Sequence, residues 1–146
     1  MSPAYRGEAA IAAPFTVPLG RPPEDAPELR FGEQDLERAR RFVAEHATAA
    51  GLERNRMLEL VVAVNEIASN CVKHGGGHGR VLVWREPGRV VCEVRGAGGI
   101  ADPLADRRLP GLDDPTGRGL WLANQLCDLV QIRSVRGELV VRVHVV

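Results

Sequence analysis

Lysine is almost missing from this chain: Lys73 is the only one among 19 basic residues, and arginine supplies the others. The 19 basic and 19 acidic side chains cancel to a formal net charge of +0, so bulk charge provides no attraction to nucleic acid or to an anionic membrane. With Ala, Gly and Pro abundant, the arginine excess reads as codon composition rather than as phosphate recognition. Cysteine is scarce as well. Cys71, Cys92 and Cys127 are odd in number, far apart and each set in apolar sequence, which argues against a disulfide framework or a paired-cysteine metal site and for reduced, buried thiols. No apolar run reaches the roughly 20 residues that span a bilayer, and the N-terminus lacks a basic region followed by a hydrophobic stretch. A cytoplasmic setting is expected, with no nucleic-acid and no membrane partner. At 146 residues there is room for one ordinary domain and a tail.

What is present falls into blocks. Residues 1–27 carry Pro3, Pro14, Pro18, Pro22, Pro23 and Pro27 among many alanines, a composition that interrupts helices and reads as an arm or linker. The domain is expected over residues 28–146. Glu28-Leu29-Arg30-Phe31 alternates charged and apolar residues and suits a short edge strand. From Glu33 to Ala50 the apolar positions Leu36, Ala39, Val43, Ala47 and Ala50 recur at helical spacing, and Gly51 supplies a stop. A second helical pattern begins near Glu53 to Asn55 and places Leu60, Val64, Ile67 and Cys71 on one stripe, widened by Val61, Val62 and Ala68. It ends in Gly75-Gly76-Gly77.

Beyond those glycines the pattern changes to β-branched runs, Arg80 to Trp84 and Arg89 to Arg95, separated by Glu86-Pro87-Gly88. Residues 96–119 are rich in Gly, Asp and Pro, and a loop of that length in a compact domain is usually functional or disordered. Leu120 to Cys127 suits a short helix, and Leu129 to Val135 and Glu138 to Val146 suit strands around a turn at Arg136-Gly137. Trp84 and Trp121 read as packing residues. Helices and strands in blocks, without regular βαβ alternation, imply an α+β two-layer sandwich with a mixed or antiparallel sheet covered on one face by helices.

Three segments carry chemistry. Glu66 and Asn70 are four apart, so both project from one face of the second helix, with Lys73 one turn further on. A carboxylate there can act as a general base, and an amide oxygen can ligate a hard cation such as magnesium. Taken alone, the pair equally suits a solvated helix edge. The second segment is the glycine turn Arg95-Gly96-Ala97-Gly98-Gly99 after a strand. The third is Gly117-Arg118-Gly119-Leu120, where backbone N–H groups at the start of a helix can wrap a phosphate. The three are expected to converge on one cavity.

The run Ala63-Val64-Asn65-Glu66-Ile67-Ala68-Ser69-Asn70-Cys71-Val72-Lys73-His74-Gly75 resembles the N-box of the GHKL (Bergerat-fold) ATPases in their anti-sigma-factor serine kinase branch. Gly117-Arg118-Gly119-Leu120-Trp121-Leu122 resembles the G2 box, and the similarity extends from about Glu28 to Val146. The resemblance implies a histidine-kinase-like ATPase fold that takes ATP and Mg2+. Glu66 would then be the base assisting phosphoryl transfer to a serine, and Asn70 the magnesium ligand. Gly96 and Gly98 would lie at the base, Gly117, Arg118, Gly119 and Leu120 along the triphosphate, and Lys73 and His74 near phosphate. It also implies protein partners, namely a sigma factor, a STAS-type anti-anti-sigma protein, or a second copy in a homodimer.

One position departs from that pattern. Where the family's G1 box begins with an aspartate that accepts a hydrogen bond from the adenine amino group, this chain has Gly96, and Ile100 stands where a second glycine is often found. A hydrogen bond to a charged group contributes about 1.5–3 kcal/mol, or about one to two decades of affinity. Two readings stay open: a Mg-ATP-dependent serine kinase that controls transcription by partner switching, and a degenerate, nucleotide-free member acting as a protein-binding module. The catalytic domain of a two-component histidine kinase ranks lower, because His46 sits in a single amphipathic helix without a coiled-coil around it. A metal site from Cys71, His74 and His78 also ranks lower, since a glycine-rich loop leaves such side chains unanchored and no carboxylate supports them.

Overall fold

The computed structural model describes residues 19–74, 76–97, 122–135 and 137–146. Within them the order is β1 (Glu28–Gly32), a 3-10 turn (Glu33–Asp35), α1 (Leu36–Ala49), α2 (Arg54–His74), β2 (His78–Glu86), β3 (Arg89–Ala97), β4 (Leu129–Val135) and β5 (Glu138–Val145). Residues 122–126 are also helical. The strands form one sheet in the order β1-β2-β3-β5-β4, and every described pairing is antiparallel. The helices lie on one face of it, which is the two-layer α+β sandwich that the block pattern implies.

Local chemistry sets the boundaries. The Asp35 carboxylate accepts from the Gly32 N–H at 2.9 Å and closes the turn that starts α1. At the far end Gly51 adopts φ 95°, a left-handed conformation that glycine takes without a Cβ penalty. The Gly51 N–H then donates to the Thr48 carbonyl at 2.9 Å and Leu52 N–H to Ala47 at 3.1 Å, a glycine C-cap that satisfies the last carbonyls of the helix. α2 begins where Glu53 accepts from the Arg56 N–H at 3.1 Å. Arg56 then ties that helix to the end of the chain, donating to Asp128 at 2.7 Å and to the Leu126 carbonyl at 3.1 Å.

The core sits between the helices and the sheet. Ala39, Val43 and Ala47 of α1 meet Leu60, Val64, Ile67 and Cys71 of α2, over Val81, Val83, Cys92, Val94, Val141 and Val143 of the strands. Fully burying each aliphatic side chain contributes about 1.5–3 kcal/mol. The stripe on α2 is narrower than the sequence suggests: Val61 is only partly buried and Val62 is 47% exposed. The reason is that only α1 and the sheet cover α2 among the described residues, so a third apolar row has nothing to pack on. Ala123 and Cys127 are buried in the same core, which puts the chain between β3 and β4 on the helical side. Cys71, Cys92 and Cys127 are all buried, and none is in a disulfide.

Among the described residues the opposite face has no helix. Residues 19–27 lie there instead: the Gly20 carbonyl accepts from Arg142 Nη2 at 2.6 Å, and Ala26 packs against Leu82, Trp84 and Val91. Trp84 is thus the packing residue that its sequence context implies. Trp121 lies outside the described residues.

Candidate functional site

The C-terminal half of α2 and the C-terminal end of β3 meet. Asn70 is 8% exposed, Glu66 one turn earlier is half-buried, and Lys73 is exposed. The neighbouring Asn65 is held by Arg40 of α1, which donates to its Oδ1 at 2.9 Å and braces the middle of α2 against rotation. A carboxylate and an amide oxygen one helical turn apart make a hard-oxygen set of the kind that holds magnesium while phosphate oxygens complete its shell. On the donor chemistry alone, Glu66 and Asn70 fit that ion. His74 is the last residue of α2, after which Gly76 and Gly77, at φ 92° and 88°, turn the chain into β2.

Gly96 lies near the end of β3, in a row that crosses the sheet. Phe31 of β1 faces Gly79 of β2, Gly79 faces Gly96, and Gly96 faces Leu139 of β5. Phe31, Leu139 and Gly96 are all on the helix-covered side. A methyl group on Gly96 would lie 2.8 Å from the Cys71 Sγ and 3.2 Å from its Cβ, closer than such atoms approach without displacement. On Gly79 it would lie 2.8 Å from the Phe31 ring and 2.6 Å from the Arg95 carbonyl. Two facing glycines therefore leave a notch in the sheet, and Phe31 and Cys71 fill it. Burial pushes the Cys71 thiol up to about 11, so it is a neutral thiol at ordinary pH. Beside this notch a cavity of about 630 Å³ is lined by Phe31, Gly32, Asp35, Gly79 and Gly96, together with arginines of the neighbouring rows. Glu66, Asn70 and Lys73 do not line it.

Of the expected convergence, the structure brings two parts together: Gly96 touches Cys71, the residue after Asn70. Gly98, Gly117, Arg118, Gly119 and Leu120 lie outside the described residues. The helical residues that follow them, 122–126, carry Ala123 into the common core. The Cys71–Gly96 contact and its Phe31–Gly79 neighbour are not legible one residue at a time. The available signal was glycine inside two strands near the same sheet end, which marks close approach of another group. Among the described residues no cluster of three or more His, Cys, Asp or Glu is placed to hold a metal, and no helix is long and apolar enough to cross a membrane.

A five-stranded antiparallel sheet under two helices, with a polar helix edge running to a glycine strand end, is the frame of a nucleotide-dependent ATPase domain. The family model for the histidine kinase-like ATPase domain matches residues 31–145, and the chain belongs to that family. A comparison with curated proteins returns no match.

Proposed function

We propose that this domain is an anti-sigma-factor-like regulator in the cytoplasm, a Mg-ATP-dependent kinase acting on a serine of a STAS-type anti-anti-sigma partner and controlling a sigma factor by partner switching. The carrying observation is the buried Asn70 one turn from the half-buried Glu66, on the helix that meets the end of β3. Phosphoryl transfer asks for positioning and charge neutralisation more than for covalent help. Asn70 would hold the metal, which when bound neutralises charge on the phosphates. Glu66 takes the proton from the attacking serine hydroxyl as its oxygen bonds to the γ-phosphorus and the bond to ADP breaks. Lys73, exposed at the end of the same helix, stands ready for phosphate oxygens. Gly98 and the segment Gly117-Arg118-Gly119-Leu120 complete the nucleotide contacts in this reading.

A second reading is favoured by Gly96, which brings no side chain to the base end: a nucleotide-free domain that works as a binding or dimerisation platform. Transfer of labelled phosphate from ATP to a serine of the partner separates the two. The kinase reading expects transfer by the wild type, lost in Glu66→Ala while the melting temperature stays within a few degrees. A folded wild type that binds the partner and transfers nothing leaves only the platform.

A further inference from the structure

The notch at the end of the sheet carries more than the absence of a carboxylate. We infer that Cys71 is the residue that determines base selectivity here: by filling the space over Gly96 it keeps any side chain out of that strand position, so a purine nucleotide is held by its phosphates and its base goes unread. This rests on the nucleotide reading above and names the specificity of that same site.

The geometry makes the selectivity a property of a pair. Gly96 faces the helical layer, with Gly79 as its strand partner. A side chain at 96 starts 2.8 Å from the Cys71 Sγ, and Cys71 is on the core side of α2, 2% exposed and packed among buried side chains. Gly79 offers no relief, since Phe31 already occupies its side of the notch. Removing the sulfur alone leaves Cβ against Cβ at 3.2 Å, a tight contact that a shift of a few tenths of an ångström relieves. Cys71 and position 96 are therefore coupled, and a carboxylate enters only when the thiol leaves. The chemical consequence follows from the purine edges. Adenine presents an amino donor where guanine presents a carbonyl acceptor, so a carboxylate at 96 attracts the first and repels the second. A neutral thiol over a bare backbone does neither.

The test is a mutational cycle of wild type, Cys71→Ala, Gly96→Asp and the double variant. Melting temperatures are read without nucleotide, and affinities for Mg-ATP and Mg-GTP are read by calorimetry. The wild type is expected to bind the two nucleotides within about threefold of each other. Gly96→Asp alone loses stability and gains no preference. The double variant regains part of that stability and prefers ATP by about tenfold or more, the scale of one hydrogen bond to a charged group. Gly96→Ala, with and without Cys71→Ala, repeats the stability arm should the aspartate variant fail to fold. Additive melting temperatures in both cycles overturn the inference alone, as does a wild type that already prefers ATP tenfold. If the melting temperatures are coupled but no variant responds to either nucleotide, the selectivity falls together with the reading of the site.

Discussion

The two faces of the sheet are buried by different means. Toward the helices, Val81, Val83, Val94, Val141 and Val143 meet aliphatic side chains, and burial of apolar surface accounts for their cohesion. On the other face Leu82, Trp84 and Val91 form only a small apolar cluster. Beside it Glu93 is fully buried between two arginines, accepting from Arg95 Nε at 2.5 Å and from Arg142 Nε at 2.8 Å. Arg142, 8% exposed, also stands 5.1 Å from the centre of the Trp84 ring and donates to the Gly20 carbonyl. The apolar face tolerates adjustment by small steps of volume. The charged face depends on a complete set of partners, because a buried charge that loses its counter-ion keeps its desolvation cost.

Adjacent residues of β3 break or sharpen that comparison most directly. Glu93→Ala leaves Arg95 and Arg142 without the acid buried between them, and is expected to cost about 3–5 kcal/mol. Val94→Ala, one residue on and facing the helices, removes two methyl groups and is expected to cost about 1.6 kcal/mol, at roughly 0.8 kcal/mol per buried carbon. Urea denaturation of both variants checks the ranking. Equal costs would mean that the ion cluster is solvated and that the two faces are held alike.

The second expected effect belongs to the strap. Removing residues 1–27 takes away the Gly20 carbonyl from Arg142 and the Pro27 carbonyl from the Val83 N–H, which bond at 2.6 and 3.3 Å. It also uncovers the apolar cluster under Ala26. The loss of the charge-assisted bond alone corresponds to about 1.5–3 kcal/mol, read as a lower denaturation midpoint. In a Trp121→Phe background the emission of Trp84 should shift to the red as its ring meets water. Unchanged emission and midpoint would show that the arm does not hold this face.

The same contrast explains what the sequence discloses. Leu60, Val64, Ile67 and Cys71 announce the buried stripe of α2 because helical spacing and apolar character coincide there. All five strands can be placed from β-branched runs and glycine turns, with β1 at the sheet edge. Glu66 and Asn70 stand out because two polar residues four apart interrupt an apolar helix. Glu93 does not, since an acid alternating with Cys92 and Val94 has the pattern of a solvent-facing strand residue; its burial depends on Arg142, 49 residues away, and on a strap from the other end of the chain. Gly96 reads in the sequence as a missing carboxylate. Only the fold shows that Cys71 has taken its place, because that pairing joins a helix to a strand 25 residues later.

The smallest expected effect is the acid sensitivity of the charged face. His144 is 5% exposed, with Nε2 2.8 Å from Gln131 Oε1, while its Nδ1 has no hydrogen-bond partner among the described residues. Burial first, then the nearby Arg89 and Arg142, hold its pKa down to about 4 from 6.5, against an opposing pull from Glu86. Between those values the unfolded chain binds a proton that the folded protein refuses, so stability falls as pH drops from about 6.5 toward 4 and is unaffected by this group above that window. From pH 7 to pH 5.5 the loss from this residue is about 1 kcal/mol, because a tenfold difference in proton affinity between the two states is worth about 1.4 kcal/mol. Denaturation midpoints measured across that range should decline in the wild type and flatten in His144→Gln, which keeps a donor for Gln131 but cannot titrate. An identical decline in both proteins would assign the acid sensitivity elsewhere. The nearest candidate is Glu86, whose carboxyl is held low by its hydrogen bond from Trp84 despite some opposing burial, and which would lose its contribution in more acidic solution.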